Sequence, residues 1–217
     1  MISLHTHTFL SDGELGVSEL VRRAEAKGYR AIGVTDHGDD SNLEFIISNV
    51  SSCAKKLNAV LDIKVIVGVE LTHVPPALIP EMIERARKLG AQIVGVHGET
   101  IIEPVISGTN KAAISGGADF LAHPGLISEE DAALAAGKGV FLEITTRKGH
   151  AYTNGHVLNM ARNAGAKMVI NTDSHSASDL VTRENAELIA RGAGLTTEEI
   201  RNCFSNSEEI IRKALKN

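Results

Sequence analysis

The chain has 217 residues, of which 43% are hydrophobic and 23% charged, and its formal net charge is −5 at pH 7. This composition is typical of a soluble globular protein, and we expect residues 1–217 to form a single domain. No apolar run approaches the roughly 18 residues of a membrane helix, and scarce aromatic residues with no dense Lys/Arg cluster argue against an extended nucleic-acid surface. The two cysteines, Cys53 and Cys203, form no CxxC pair, which indicates a reducing, cytoplasmic setting.

Short apolar runs alternate along the chain with segments of helical periodicity. Several runs are apolar throughout, as expected for strands that are buried on both faces. The predicted strands, in chain order, are Ile2–His5, Ala31–Thr35, Val65–Val69, Gln92–Val96, Phe120–Ala122, Val140–Ile144 and Met168–Asn171. The predicted helices are Val17–Lys27, Leu43–Leu57, Glu81–Leu89, Asn110–Ile114, Glu129–Ala136, Val157–Ala164, Arg183–Ala190, Thr197–Phe204 and Ser207–Leu215.

This alternation of strand and helix predicts parallel strands joined by right-handed crossovers, and hence an α/β fold. Seven such units fit a closed or nearly closed barrel, a fold that starts at about 200 residues. A doubly wound open sheet is the alternative. The C-terminal helices, residues 197–216, are expected to pack on the barrel.

An ionisable side chain stands at the C-terminal end of every predicted strand. His5 and His7 end the first strand, and side chains two residues apart on a strand point the same way. In a parallel barrel all these ends form one rim, which is the face that carries the sites of such folds. The other strand-end residues are Asp36, His37, Glu70, His97, Glu99, His123, Glu143, Asp173 and His175.

Imidazoles and carboxylates gathered on one rim indicate bound metal ions. Without a cation, burying several such groups together carries a steep desolvation penalty. Neutral imidazole and ionised carboxylate are the ligands that divalent metals prefer. His73, His150 and His156 fall in loops after the third and sixth strands, so we leave them out of the metal shell as surface or substrate-rim residues.

The ordered motifs resemble the polymerase and histidinol phosphatase (PHP) superfamily over nearly the whole chain. The matching motifs are His5-x-His7 with Asp12, Thr35-Asp36-His37, Gly68-Val69-Glu70, His97, Ala122-His123-Pro124 and Asp173-Ser174-His175. The resemblance implies a distorted seven-stranded (β/α) barrel, similar to a TIM barrel, with a metal site at the C-terminal rim of the strands.

The resemblance also implies how nine ligands divide among two to three divalent ions. The first ion would be held by His5, His7, Glu70 and Asp173. Glu70 would bridge to a second ion, held also by His97 and His123, and the third set would be Asp12, His37 and His175. Some family members have His where this chain has Asp12. A carboxylate oxygen is a harder metal ligand than an imidazole nitrogen. Zinc is the expected metal, with manganese and iron as alternatives because mixed N/O sites accept all three.

Clustered divalent ions suit hydrolysis of a phosphoester by a metal-dependent phosphoric ester hydrolase. We expect attack by a metal-bound hydroxide held by His5, His7, Glu70 and Asp173, without a covalent intermediate, because no rim cysteine or GxSxG motif offers a nucleophile. The candidate cations for the substrate phosphate are Arg147, Lys148 and Arg183. Glu143 and Asp36 are candidates for orienting a ligand histidine.

The leading functional interpretation is a phosphatase that acts on a small phosphomonoester and is similar to histidinol phosphate phosphatase. The alternative is a nuclease or nucleotide phosphatase that acts on nucleic-acid ends or nucleotides. A non-catalytic metal-binding module is less favoured, because this chain keeps all nine ligands of the family pattern. The sequence leaves the exact substrate and the oligomeric state open.

Overall fold

Parallel strands form a nearly closed barrel in the computed structural model, which describes residues 1–215. The strands are β1 (Ile2–Ser3), β2 (Ala31–Val34), β3 (His37–Gly38), β4 (Lys64–Leu71), β5 (Ile93–His97), β6 (Phe120–Ala122), β7 (Phe141–Thr145) and β8 (Met168–Asn171). They are hydrogen-bonded in the order β1-β2-β4-β5-β6-β7-β8, and every pairing is parallel. The short β3 continues the path of β2 and also pairs with β4.

Helices surround this barrel. They are α1 (Val17–Ala26), α2 (Leu43–Leu57), α3 (Ile79–Lys88), α4 (Thr109–Gly116), α5 (Glu129–Lys138), α6 (Asn154–Ala164), α7 (Arg183–Gly192) and α8 (Thr197–Ala214), with 3₁₀ turns at Pro76–Leu78 and His150–Thr153. None of the helices in residues 1–215 is long and apolar enough to cross a membrane.

The barrel closes where the chain following β1 meets the chain following β8. Thr6 and Ser174 form a parallel bridge. On either side of it, the His7 amide donates to the Ser174 carbonyl at 2.8 Å, and the Asp173 amide donates to the His5 carbonyl at 2.9 Å. This closure brings the first predicted ligands of the chain beside the last ones.

The expected barrel is confirmed, and the open-sheet alternative is wrong. The sequence missed only the two-residue β3 among the described strands. The expectation of two C-terminal helices is also wrong, because α8 runs unbroken from Thr197 to Ala214 and packs on β1 and β8. Ser207 does not start a helix: it is buried inside α8, where its hydroxyl donates to the Cys203 carbonyl. Of the predicted segment 197–216, residue 216 lies outside the described residues.

An apolar plug fills the barrel below its C-terminal rim. Its side chains include Leu4, Ile66, Ile93, Phe120 and Val169, all buried. The Phe120 ring lies 5.6 Å from the His5 ring, centroid to centroid, so the plug lies directly below the rim. A larger apolar layer separates the barrel from the helices. Polar groups that rest on the plug therefore lie in a medium of low dielectric constant, where electrostatic interactions are strong.

Candidate metal centre

A cavity of about 270 Å³ opens at the C-terminal ends of the strands. All nine residues expected to bind metal lie in or directly beneath it. His5, His7 and Glu70 form its fully buried floor. Its lining consists of Asp12, His37, Thr72, His73, His97, Glu103, His123, Arg147, His150, Asp173 and His175.

The residues expected to hold the first ion have the spacing of metal ligands. His5 Nε2 lies 3.3 Å from Glu70 Oε1 and 3.5 Å from Asp173 Oδ1, and His7 Nε2 lies 3.2 Å from Asp173 Oδ1. In a tetrahedral zinc site with bonds of about 2.0–2.1 Å, neighbouring ligand atoms lie about 3.3–3.4 Å apart. These four buried atoms also have no hydrogen-bond partner in residues 1–215. Unpaired buried polar atoms are costly, and a cation would satisfy them, so these residues fit a metal ion.

The residues expected at the second ion lie on the other side of Glu70. His123 Nε2 lies 3.6 Å from Glu70 Oε1 and 3.7 Å from Asp173 Oδ2. The His97 ring meets the His123 ring edge to face, with the centroids 4.4 Å apart. Because Glu70 Oε1 faces both His5 and His123, it stands where a bridging carboxylate would stand.

The third set is the most exposed. Asp12 Oδ1 lies 3.5 Å from His37 Nε2, and Asp12 Oδ2 lies 3.3 Å from His175 Nε2. The side chain of Asp12 is 55% exposed, whereas His7, which also belongs to this cluster of donor atoms, is fully buried. An ion held here would be the most accessible one to solvent.

The two residues expected to orient histidines have different partners. Glu143 Oε1 accepts from His5 Nδ1 at 2.8 Å, which directs His5 Nε2 into the cavity, and Glu143 Oε2 accepts from the His123 amide at 3.0 Å. Asp36 instead accepts from the amide and hydroxyl of Thr8, at 2.6 and 2.8 Å, and from the Ser11 hydroxyl at 2.8 Å. It therefore fixes the loop that carries Asp12 and does not hydrogen-bond a histidine ring.

Strained backbone positions two of the expected ligands. His123 has φ 25° and Asp173 has φ 49°, values that non-glycine residues rarely adopt. Both follow closely after a strand, where the unusual conformation turns the side chain towards the cavity. Such strain persists only where the surroundings enforce it, and it is concentrated at functional sites.

Burial and neighbouring charges shift the pKa values of the cluster in opposite directions. Burial lowers the pKa of His7 to about 3. Burial alone would also lower the pKa of His5, but the carboxylates of Glu143 and Glu70 raise it well above its usual value. Burial opposes ionisation of Asp173, yet the charge of His5 holds the pKa of that carboxyl below its usual range. The carboxylates are thus ready for a cation, whereas His5 must lose a proton to bind one.

Sequence reasoning left His150 out of the metal shell and did not single out Glu103, yet both residues line this cavity. Of the two positions expected for His150, the surface is wrong, because the residue is only 6% exposed; it lines the cavity, and its ring stacks on His123 with the centroids 3.9 Å apart. Glu103 Oε2 lies 3.1 Å from His97 Nε2. Glu103 lies in an irregular loop and His150 begins a short 3₁₀ turn, and hydrophobic periodicity gives no signal for either; Gly149, directly before His150, is a local indication of a sharp turn.

The two other histidines left out of the metal shell lie in different places. His73 lines the cavity at its exposed edge, with Nε2 3.6 Å from Glu103 Oε2. His156 lies away from the cavity lining on α6, where its Nε2 is 2.8 Å from the Ile127 carbonyl.

The three candidate cations are widely separated. Arg147 lines the cavity, and its Nη1 donates to Asp179 Oδ2 at 2.8 Å. Lys148 is exposed and lies outside the cavity lining. Arg183 is contradicted as a site residue, because it borders a separate surface pocket beside Met1 and covers the Phe204 ring at 4.5 Å. The segment after His175 leaves the rim and runs to the opposite end of the barrel before α7 begins, which sequence position alone did not indicate.

Comparison with known proteins identifies relatives of this chain. The PHP domain family model matches residues 3–187. An uncharacterised protein of Methanocaldococcus jannaschii is 51% identical over 212 residues, which cover 96% of this chain and 97% of that protein. A probable phosphatase of Shewanella pealeana is 26% identical over 231 residues, covering 93% of this chain and 88% of that protein.

Solved structures share the fold at low sequence identity. A chain of archaeal ribonuclease P, determined with mature tRNA, superimposes with a TM-score of 0.74 at 15% identity, covering 99% of this chain and 91% of that chain. A candidate histidinol phosphatase from Listeria monocytogenes gives a TM-score of 0.62 at 14% identity, covering 85% of this chain and 99% of that chain. At these identities the similarity concerns the fold alone.

Proposed function

The chain belongs to the PHP domain family, and on that premise we propose that it is a metal-dependent phosphoesterase that hydrolyses a small phosphomonoester. One observation carries the proposal: the barrel rim holds buried imidazole and carboxylate atoms, unpaired within residues 1–215, at distances suited to metal ligands. A relative named a probable phosphatase supports the same class of reaction.

We assign the ligands by combining the family pattern with this geometry. The first ion would be held by His5, His7, Glu70 and Asp173, the second by Glu70, His97 and His123, and the third by Asp12, His37 and His175. Divalent ions at these places supply two things: a lowered pKa for a water molecule, and neutralisation of charge on the phosphoryl oxygens.

The protein's own residues position this chemistry. Glu143 holds the His5 ring, and Asp36 holds the loop of Asp12. The apolar plug below His5 keeps water away from the floor, which strengthens every electrostatic interaction above it. We assign the binding of a phosphate oxygen to Arg147, because it is the candidate cation that lines the cavity and Asp179 holds its guanidinium.

A small substrate is favoured by the cavity itself. Its volume of about 270 Å³ suits a phosphate group with a compact leaving group, and the acidic net charge of −5 offers little attraction to a polynucleotide. Histidinol phosphate is therefore the first substrate to test. A nucleotide is the second candidate, because Tyr152, 72% exposed and two residues after His150, offers a ring on which a base can stack.

The test compares the wild type with the double variant His5→Ala/His7→Ala, using His156→Ala as the matched control. Released phosphate is measured with histidinol phosphate and with 3′- and 5′-phosphorylated nucleotides, and the metal content of each protein is determined in parallel. We expect metal content and hydrolysis to fall together in the double variant and to stay unchanged in the control.

The outcomes separate the candidates. Release from histidinol phosphate but not from nucleotides supports the first substrate, and the reverse profile supports the second. Hydrolysis that survives in the double variant after its metals are lost would refute the proposed chemistry.

A further inference from the structure

His150 and Glu103 line the cavity and belong to none of the three ligand sets assigned above. They come from the loops that follow β7 and β5. Glu103 Oε1 lies 3.4 Å from His150 Nε2, and Glu103 Oε2 lies 3.1 Å from His97 Nε2. Ring nitrogens of His97, His123 and His150 all lie within 4.8 Å of one another. These spacings resemble those between the ligand atoms of the first set.

The His150 ring is oriented in the same way as the His5 ring. Its Nδ1 is hydrogen-bonded to the Thr100 hydroxyl at 2.8 Å, and its Nε2 faces Glu103 and, at 4.0 Å, Asp173 Oδ2. Histidines that bind metals usually make such a bond with the nitrogen that does not face the ion. Thr100 thus has the same relation to His150 as Glu143 has to His5.

The backbone conformation at Gly149 directs the His150 ring into the cavity. Gly149 has φ 92°, in the region that favours glycine, and a Cβ added there would lie 2.8 Å from Ile102 Cδ1. The loop after β7 therefore packs against the loop after β5 at Ile102, and Glu103 is the next residue in that loop. The two extra donor groups are held together by this contact between loops.

We propose that His150 and Glu103 are metal ligands and complete the second ion site together with Glu70, His97 and His123. The inference rests on the proposed metal centre and extends it. Glu70, His97 and His123 alone would leave the ion with three protein ligands and open to exchange. His150 supplies a fourth, which is typical of a firmly held ion, and Glu103 supplies a fifth. His150, which is buried, is the constant ligand of this group, and Glu103, which is 36% exposed, is the ligand that an incoming phosphate oxygen can displace.

The test measures metal binding rather than turnover. Zinc-loaded wild type and the variants His150→Ala, Thr100→Val and Glu103→Gln are dialysed against increasing concentrations of a chelator, and zinc per chain is counted; His156→Ala is again the control. We expect Thr100→Val to weaken retention of one ion by about 10- to 100-fold, the usual effect of removing the partner of a ligand histidine. His150→Ala should weaken it at least as much, while Glu103→Gln weakens it less and the control matches the wild type.

Cobalt substitution supplies a second readout of the same site. The visible absorption of bound Co²⁺ reports its ligands, so His150→Ala should change the spectrum and His156→Ala should not. Wild-type zinc retention and an unchanged spectrum in all three variants would overturn the proposal. If His150→Ala does not fold, as judged by circular dichroism, Thr100→Val and Glu103→Gln decide the question by the same measurements.

These readouts keep the inference distinct from the proposed function. If the ions are bound through His150 but no phosphoester is hydrolysed, the proposed function fails and the ligand assignment stands. If phosphate is released while the His150 variant keeps every ion, the ligand assignment fails and the proposed function stands.

Discussion

Replacing Glu143 by Gln tests whether one buried carboxylate organises the floor of the metal centre. In the wild type, Glu143 Oε1 accepts from His5 Nδ1 at 2.8 Å and from Asn171 Nδ2 at 2.9 Å, while Oε2 accepts from the His123 amide at 3.0 Å. All three donors are buried. Glutamine has nearly the same shape but only one accepting oxygen, so it cannot serve both sides.

The geometry determines which contact is lost. If the side-chain oxygen of the introduced glutamine faced the His123 amide, its NH₂ group would oppose two donors, those of His5 and Asn171. If the oxygen instead faces His5 and Asn171, only the His123 amide loses its partner, so this orientation is favoured. A buried donor left unpaired costs about 1–3 kcal/mol. We therefore expect the metal-free variant to be less stable by about 1–3 kcal/mol. We also expect the affinity for the ion held by His123 to fall by about 10- to 100-fold, because the contact that is lost positions this ligand.

Two assays check these values. Urea unfolding of the metal-free proteins gives the difference in stability, and zinc retention against a chelator gives the difference in affinity. Glu99→Gln is the control: its Oε1 alone accepts from the Gly108 and Asn110 amides, so a glutamine can keep both bonds. If Glu143→Gln held zinc as firmly as Glu99→Gln, the Glu143 contact would not support a metal ligand, and our account of the floor would be refuted.

Three further predictions address the charge, the substrate and the core. Although burial opposes it, two carboxylates raise the pKa of His37 to about 10, so at pH 7 the metal-free ring carries a proton that a metal must displace. Metal affinity should accordingly rise with pH from 7 towards 10, and calorimetric binding heats should differ between buffers of different ionisation enthalpy; equal heats would contradict this. Arg147→Ala should lower kcat/KM for the phosphoester by about 10- to 100-fold through the loss of a charged hydrogen bond, whereas Lys148→Ala should leave it unchanged; equal effects would exclude a specific role for Arg147. Gly95→Ala would place a Cβ 2.8 Å from Phe120 Cε2 and should destabilise the protein by about 1–3 kcal/mol through overpacking; an unchanged urea midpoint would show that the plug can relax.

What the sequence predicted depended on whether a residue belongs to a strand. His5, Glu70 and His97 stand on strands or closely after them, and parallel strands of one barrel end on one rim, so their meeting follows from topology. The sequence did not predict the buried position of His150 or the position of Arg183 away from the rim, because each residue follows an irregular segment whose direction depends on tertiary contacts. The sequence also did not predict that α8 is one helix. Its local pattern places a new helix start at Ser207, but the buried face of α8 continues through this residue.

The difference between strand residues and loop residues also divides the site into two parts with different physical properties. The floor consists of strand-borne groups that are fully buried and rest on the apolar plug, so their positions and charges are fixed by the fold. The mouth consists of loop-borne groups, Asp12, Glu103 and Arg147, which are partly exposed and held mainly by contacts between loops. Changes in these loops can alter which phosphoester enters, or how firmly the outer ions are held, without disturbing the floor. If the proposed function holds, we therefore expect substrate specificity to depend on the mouth, and variants of the mouth loops test this expectation.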